Sequence, residues 1–166
     1  MQEPFSYQLG EKVSTLLKHN VEGHVHFDPY TRGRYSTDAS IYQIAPFGVV
    51  VPKTIQDLVS AVEIAAENNI PILSRGGGTS QCGQTVNEAI VIDCSQYLNK
   101  IVNFDCENMR ISVEPGIVLD HLNSHLKPHN LFFPVDISTA SRATICLLYT
   151  SPSPRDRTRS RMPSSA

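Results

Sequence analysis

The sequence predicts an α+β fold, on three observations. A short β-branched run, "GVVVP" at residues 48 to 52, is followed by apolar residues at helical spacing and then by a second strand-like run, "IPILSR" at 70 to 75. Further along, "KIVNFD" (100 to 105) and "RISVEPG" (110 to 116) flank a short polar turn and read as a hairpin. The chain is 166 residues long and 40% apolar, enough for one domain with a core of its own.

In chain order, "YQLGEKVSTLLKHN" (7 to 20) places Leu9, Val13, Leu16 and Leu17 on one face and predicts an amphipathic helix before the turn at Gly23. His24 to Ile44 is irregular and rich in Tyr, Asp, Thr and Arg, so residues 1 to 44 read as a helix and an irregular arm. After the 48 to 52 strand, "KTIQDLVSAVEIAAENNI" carries Ile55, Leu58, Val59, Val62, Ala65 and Ala66 at helical spacing. Thr54 caps its first turn with Asp57 three residues on, and Asn68, Asn69 and Pro71 mark its end. The strands on either side are predicted parallel, with a right-handed crossover. "AIVID" (89 to 93) reads as a further buried strand, Val118 to Leu126 as a second helix, and "LFFPVDISTASRATI" (131 to 145) as a strand or extended loop.

The net charge of -2 gives no basis for a nucleic-acid partner. No apolar run is long enough to span a bilayer. Cys82, Cys94, Cys106 and Cys146 form no CxxC or Cys/His cluster, and with no secretory segment the expectation is reduced thiols in the cytoplasm. His121, His125 and His129 are four apart, but the last lies beyond Pro128 and no carboxylate completes the set, so no metal site is expected.

The informative stretch is "RGGGTSQCGQ" (75 to 84), with Gly76, Gly77, Gly78 and Gly83 in ten positions. A triphosphate-binding loop requires Gly-Lys-Ser/Thr, and no lysine occurs between Lys53 and Lys100; a GxGxxG fingerprint fails because position 81 is Gln. Too little chain follows Gly83 for a long helix, so the loop is expected to join strands directly. Two readings stay open. Successive amides, helped by Thr79, Ser80 and Arg75, form a nest for a phosphate or diphosphate; or the glycines serve only a tight turn and close packing. "VEPG" (113 to 116) is an ordinary turn signal. "STASRAT" (138 to 144), with four hydroxyls around Arg142, is either another polar wall of the same pocket or an exposed loop.

Taken together, "PILSRGGGTSQCGQ", the preceding "VVVPKTIQDL" and the following "VEPG" and "FPVDISTASRATI" closely resemble the FAD-binding domain of the vanillyl-alcohol-oxidase, or PCMH-type, flavoproteins. Within that group the sequence is most similar to FAD-linked 2-hydroxy-acid dehydrogenases related to glycolate oxidase and D-lactate dehydrogenase. The resemblance covers roughly residues 20 to 145. "FDPYTRGRYSTDASIYQIAPFGVVVP" is similar to the lead-in of members that carry an iron–sulfur domain later in the chain.

The resemblance implies an α+β domain of two lobes with FAD between them. The first, over 45 to 99, holds the β-α-β unit; the second, over 100 to 145, is the start of a largely antiparallel sheet, here truncated. Arg75, Gly76, Gly77, Gly78, Thr79, Ser80, Gly83 and Gln84 would line the diphosphate and neighbouring flavin. Pro115 and Gly116 would shape the adenine side, and Pro134, Asp136, Ser141, Ala143 and Thr144 would meet the flavin or the diphosphate wall. Some relatives attach flavin covalently through a histidine in the glycine loop; Thr79 holds that position here, which implies non-covalent FAD. The parent would oxidise a D-2-hydroxy acid such as glycolate or D-lactate to the 2-oxo acid and pass electrons to an acceptor. A flavin oxidase for a sugar or alcohol, or a non-catalytic nucleotide or anion-binding module, are the alternatives.

After "SRATI" the family continues with Gly-Gly, whereas this chain gives "CLLYTSPSPRDRTRSRMPSSA". That run resembles translated sequencing-adapter read-through, so 146 to 166 is expected to be a non-native, disordered tail. With the substrate-binding cap absent, no catalytic residue is identified and the 166 residues are expected to be inactive by themselves.

Overall fold

Residues 7–149 are described in a computed structural model of the chain. Helix α1 (Tyr7–Asn20) leads into β1 (His24–His26) and the short helix α2 (Pro29–Arg34). Strand β2 (Gly48–Val51), helix α3 (Ile55–Glu67) and strand β3 (Ile72–Arg75) follow, then β4 (Ile90–Asp93). The hairpin β5 (Ile101–Asp105) and β6 (Arg110–Val113) precede α4 (Leu119–Leu126) and the five-residue α5 (Ile145–Tyr149).

The first sheet has the order β1-β2-β4-β3. β2 and β3 are parallel, as the sequence predicts, but they are not neighbours: β4 lies between them and pairs in parallel with both. Both β2 and β4 are buried at every position, which matches their unbroken β-branched runs. Alternation sorts their side chains between two faces. Val50, Ile90 and Ile92 pack with Val13 and Leu17 of α1 and Ala61, Ile64 and Ala65 of α3. Val49, Val51 and Val91 face the other way, against Tyr35, Leu73 and Tyr97. A separate core joins the hairpin to α4 through Ile117, Leu122 and Leu126, with Phe104 and Ile111 partly buried against it.

The arm over 24 to 44 is more ordered than its composition predicts. β1 pairs antiparallel with β2, α2 is capped by Asp28 accepting from the Thr31 amide, and Thr37 bridges Gln43. The alternatives for 131 to 145 resolve to a loop running into α5. The predicted tail also begins differently, because Cys146–Tyr149 extend α5 and Leu148 is buried. The remainder of that tail, 150 to 166, lies outside the described residues.

Asp57 fixes how α1, β2 and α3 meet. Its carboxylate accepts from the amides of Glu22 (3.0 Å), Gly23 (3.0 Å), Lys53 (2.8 Å) and Thr54 (3.3 Å), and the Asp57 amide completes the capping box by donating to the Thr54 hydroxyl oxygen at 3.0 Å. Burial alone pushes the Asp57 carboxyl up, but the bonds from Lys53, Glu22 and Thr54 outweigh it and hold the group below its usual range. A carboxyl depressed on folding stabilises above its unfolded value and loses that contribution as pH falls through the folded one. Asp57→Ala is expected to destabilise the fold by about 2–4 kcal/mol near neutral pH. In thermal melts, the gap between wild type and variant is expected to close as pH drops below about 4.

Candidate functional site

β3 ends at Arg75, and the glycine loop carries the chain to the adjacent parallel strand β4 without a helix, as the sequence predicts. Opposite it lies the 140–146 segment, docked on the start of α4. The α4 amides of Leu119 and Asp120 donate to the carbonyls of Ala143 (3.0 Å) and Ala140 (3.2 Å). The amides of Ile145 and Cys146 donate to Ile117 (3.0 Å) and Pro115 (2.8 Å). α4 has no side-chain cap, so this segment satisfies the first-turn donors that a cap would otherwise meet.

The two segments touch at Gly76 and Gly77. A Cβ on Gly76 would fall 1.9 Å from Thr144 Oγ1, and one on Gly77 would fall 2.4 Å from the Arg142 carbonyl oxygen. Gly78 and Gly83 hold positive φ (64° and 71°), Gly83 against the Tyr42 ring. Among the described residues, the amides of Gly77, Gly78, Thr79 and Ser80 donate to no protein acceptor. Two buried hydroxyl oxygens, Thr79 Oγ1 and Thr144 Oγ1, are also without a partner. Native proteins rarely leave such groups unmet, so the loop and its seam with Thr144 have the donor set of an anion site.

The other predicted residues divide. Ser80 is buried and serves the loop itself: its hydroxyl donates to Gln84 Oε1 at 2.7 Å and accepts from the Gln84 amide at 3.3 Å, while Gln84 is exposed. Gly116 is pressed between lobes, its amide donating to Leu98 at 2.8 Å and a Cβ there falling 2.2 Å from the Cys94 carbonyl oxygen. Ala143 is buried and Ser141 exposed. Pro134 and Asp136 are exposed and share no hydrogen bond with the glycine loop among the described residues.

Arg75 does not aim its guanidinium as a free anion donor. Nη1 donates to the carbonyls of Tyr35 (3.1 Å) and Thr85 (3.3 Å), Nη2 to that of Thr37 (2.7 Å), and the group lies 5.1 Å from the Tyr35 ring centroid. Tyr35 in turn donates to buried Asp93 Oδ2 at 2.7 Å, and burial followed by that bond pushes the phenol up. Cys94 beside it is pushed up to about 12, mainly by burial and then by Cys146 and Asp93, so it stays a neutral thiol. Tyr35, Asp38 and Tyr42 carry no signal in the sequence beyond the polar composition of the arm.

A separate groove of about 1270 Å³, lined by residues including Glu11, Thr15, Phe27, Arg32, Phe47 and Glu88, contains no residue of the glycine loop. None of the partnerless buried oxygens lies in its wall. The glycine loop and the seam where it meets Thr144 are therefore the candidate site.

A family profile described as an FAD binding domain matches residues 46–146. The chain belongs to the FAD-binding domain family. Among its relatives, a D-2-hydroxyglutarate dehydrogenase of Pantoea ananatis is 39% identical over 113 residues, 66% of this chain and 11% of that protein. Glycolate oxidase subunit GlcD of Bacillus subtilis is 33% identical over 129 residues, 75% of this chain and 27% of its own length. A mitochondrial D-lactate dehydrogenase [cytochrome] 1 of Saccharomyces cerevisiae is 26% identical over 87% of this chain and 25% of its own. The chain thus spans about a tenth to a quarter of these proteins.

Solved structures confirm the PCMH-type fold of this FAD-binding domain. An alkyldihydroxyacetonephosphate synthase superposes with a TM-score of 0.71 at 19% identity, over 87% of this chain and 31% of that one. A p-cresol methylhydroxylase superposes at 0.60 and 18%, over 76% and 26%. No helix among the described residues is long and apolar enough to cross a membrane.

The Gly76 contact yields a direct test. Gly76→Ala is expected to lower stability by about 1–3 kcal/mol through overpacking against Thr144. Thr144→Ala in the same chain is expected to restore part of the loss, giving non-additivity in a double-mutant cycle read by denaturant unfolding.

Proposed function

We propose that this chain is the FAD-binding part of a dehydrogenase that oxidises a D-2-hydroxy acid to its 2-oxo acid. The observation that carries the cofactor assignment is the donor set of the glycine loop beside Thr144: unpaired loop amides, two buried hydroxyls lacking partners, and a backbone approach that a Cβ would block. The family match over 46–146 supports the same assignment. The substrate class rests on the relatives named for D-2-hydroxyglutarate, glycolate and D-lactate.

The residues present suit the diphosphate of FAD. The amides of Gly77 to Ser80 with the hydroxyls of Thr79 and Thr144 would hold it, and Gly76 would keep the loop close to the second lobe. FAD is held non-covalently, since Thr79 offers no imidazole for attachment. When bound, FAD supplies the acceptor for the hydride of the substrate Cα. We assign no residue of this chain to receive the hydroxyl proton or bind the carboxylate; the electron acceptor is a partner of the parent enzyme, which is also where an iron–sulfur cluster would sit.

FAD titrated into the 166-residue chain is expected to bind and to be released whole by acid denaturation; flavin remaining in the precipitate would contradict non-covalent attachment. Thr144→Val is expected to weaken binding about tenfold by removing one hydroxyl donor. For the parent enzyme, anaerobic bleaching of the flavin by D-2-hydroxyglutarate, glycolate or D-lactate, with no bleaching by sugars or simple alcohols, is the outcome that fits the substrate class.

A further inference from the structure

The arm preceding the matched domain meets the glycine loop at both of its stems. At the entry stem, Arg75 reaches the carbonyls of Tyr35 and Thr37, and its Nη1 also reaches the Thr85 carbonyl at the exit stem. At the exit stem, Asp38 Oδ2 accepts from the Thr85 hydroxyl at 2.9 Å and the Thr85 amide at 3.4 Å. Between them, the Ala39 amide donates to the Gly78 carbonyl at 3.2 Å, and Gly83 lies against the Tyr42 ring. Asp38 is itself held by the Ser40 amide at 2.9 Å, and Tyr35 is anchored to the sheet through Asp93.

We infer that the 35–42 segment is a clamp that sets the conformation of the glycine loop, with Arg75 and Asp38 as positioning residues rather than cofactor ligands. This rests on the proposed FAD site and extends it to a segment outside the matched 46–146. A glycine-rich loop has many conformations open to it, and converging four amides on one anion costs entropy that binding would otherwise have to meet. Closing the two stems with a guanidinium fork and a carboxylate removes most of that freedom beforehand. The planar fork suits three carbonyls in fixed directions, which a lysine ammonium on a flexible stem does not reproduce.

The charge of each residue separates the clamp from a simple electrostatic role. If Arg75 held the diphosphate by charge, Arg75→Lys would keep most of the affinity; the clamp requires it to fail almost as badly as Arg75→Ala. Asp38 is sharper still. Removing a carboxylate beside an anion-binding loop strengthens anion binding on electrostatic grounds, whereas removing half of the clamp weakens it.

The test uses the 166-residue chain as wild type, Arg75→Lys, Asp38→Ala and Asp38→Asn, with circular dichroism melts showing that each is folded. FAD affinity is read by flavin fluorescence, and hydrogen exchange is read in peptides covering 36–44 and 77–89. Arg75→Lys and Asp38→Ala are expected to weaken FAD about tenfold or more, with Asp38→Asn in between because its amide oxygen still accepts from Thr85. In the cofactor-free variants, exchange at the hydrogen-bonded amides of Ala39, Cys82, Gln84 and Thr85 is expected to quicken about tenfold while α1 and α3 keep wild-type rates. Wild-type affinity in Arg75→Lys, or tighter binding in Asp38→Ala with unchanged exchange, overturns the clamp. Quickened exchange in variants of a wild type that takes up no FAD upholds the clamp and overturns the proposed function instead.

Discussion

The halves of this chain meet where backbone replaces side chain. At Gly76 and Gly77 the loop after β3 lies against Thr144 and Arg142, and at Gly116 the second lobe lies against the carbonyls of Cys94 and Leu98. A Cβ at any of these positions would sit within van der Waals distance of an oxygen, so the lobes keep their spacing only with glycine there. The unpaired amides of the loop and the buried hydroxyls of Thr79 and Thr144 all depend on that spacing. Interiors packed to crystal density have no slack with which to absorb an added methyl.

Local signals in the sequence translate directly into structure. α1 occupies the stretch that the apolar spacing of Leu9, Val13, Leu16 and Leu17 marks, and Thr54 with Asp57 forms the capping box that the pattern predicts. Strand pairing is different in kind. β4 lies between β2 and β3 because of tertiary contacts that no window of 48 to 75 contains. The arm was opaque for a related reason: β1 has three residues and α2 six, too short for periodicity to register, and both are stabilised by partners distant in sequence.

The glycine loop shows where chemistry outruns spelling. Its motif lies within the 46–146 match to an FAD-binding domain, and a backbone cradle is the role proposed for it. What an arginine at its head does is not written in the motif, because a guanidinium serves a phosphate or three carbonyls equally well. The fold decides for the carbonyls of Tyr35, Thr37 and Thr85. Pro134 and Asp136 are exposed and share no hydrogen bond with the loop among the described residues, so a place for them on the flavin wall rests on the resemblance alone.

The central position of β4 has a consequence for how the protein is made. β2, α3 and β3 all emerge from the ribosome before residues 90–93 exist, and β2 then has only the three-residue β1 beside it. Val49, Val50 and Val51 stay without their main neighbour until some forty further residues have been synthesised, and β4 must then insert between strands already tethered by a helix. A nascent chain halted short of Ile90 presents an apolar strand with an open edge, the form in which a newly made protein most needs a chaperone.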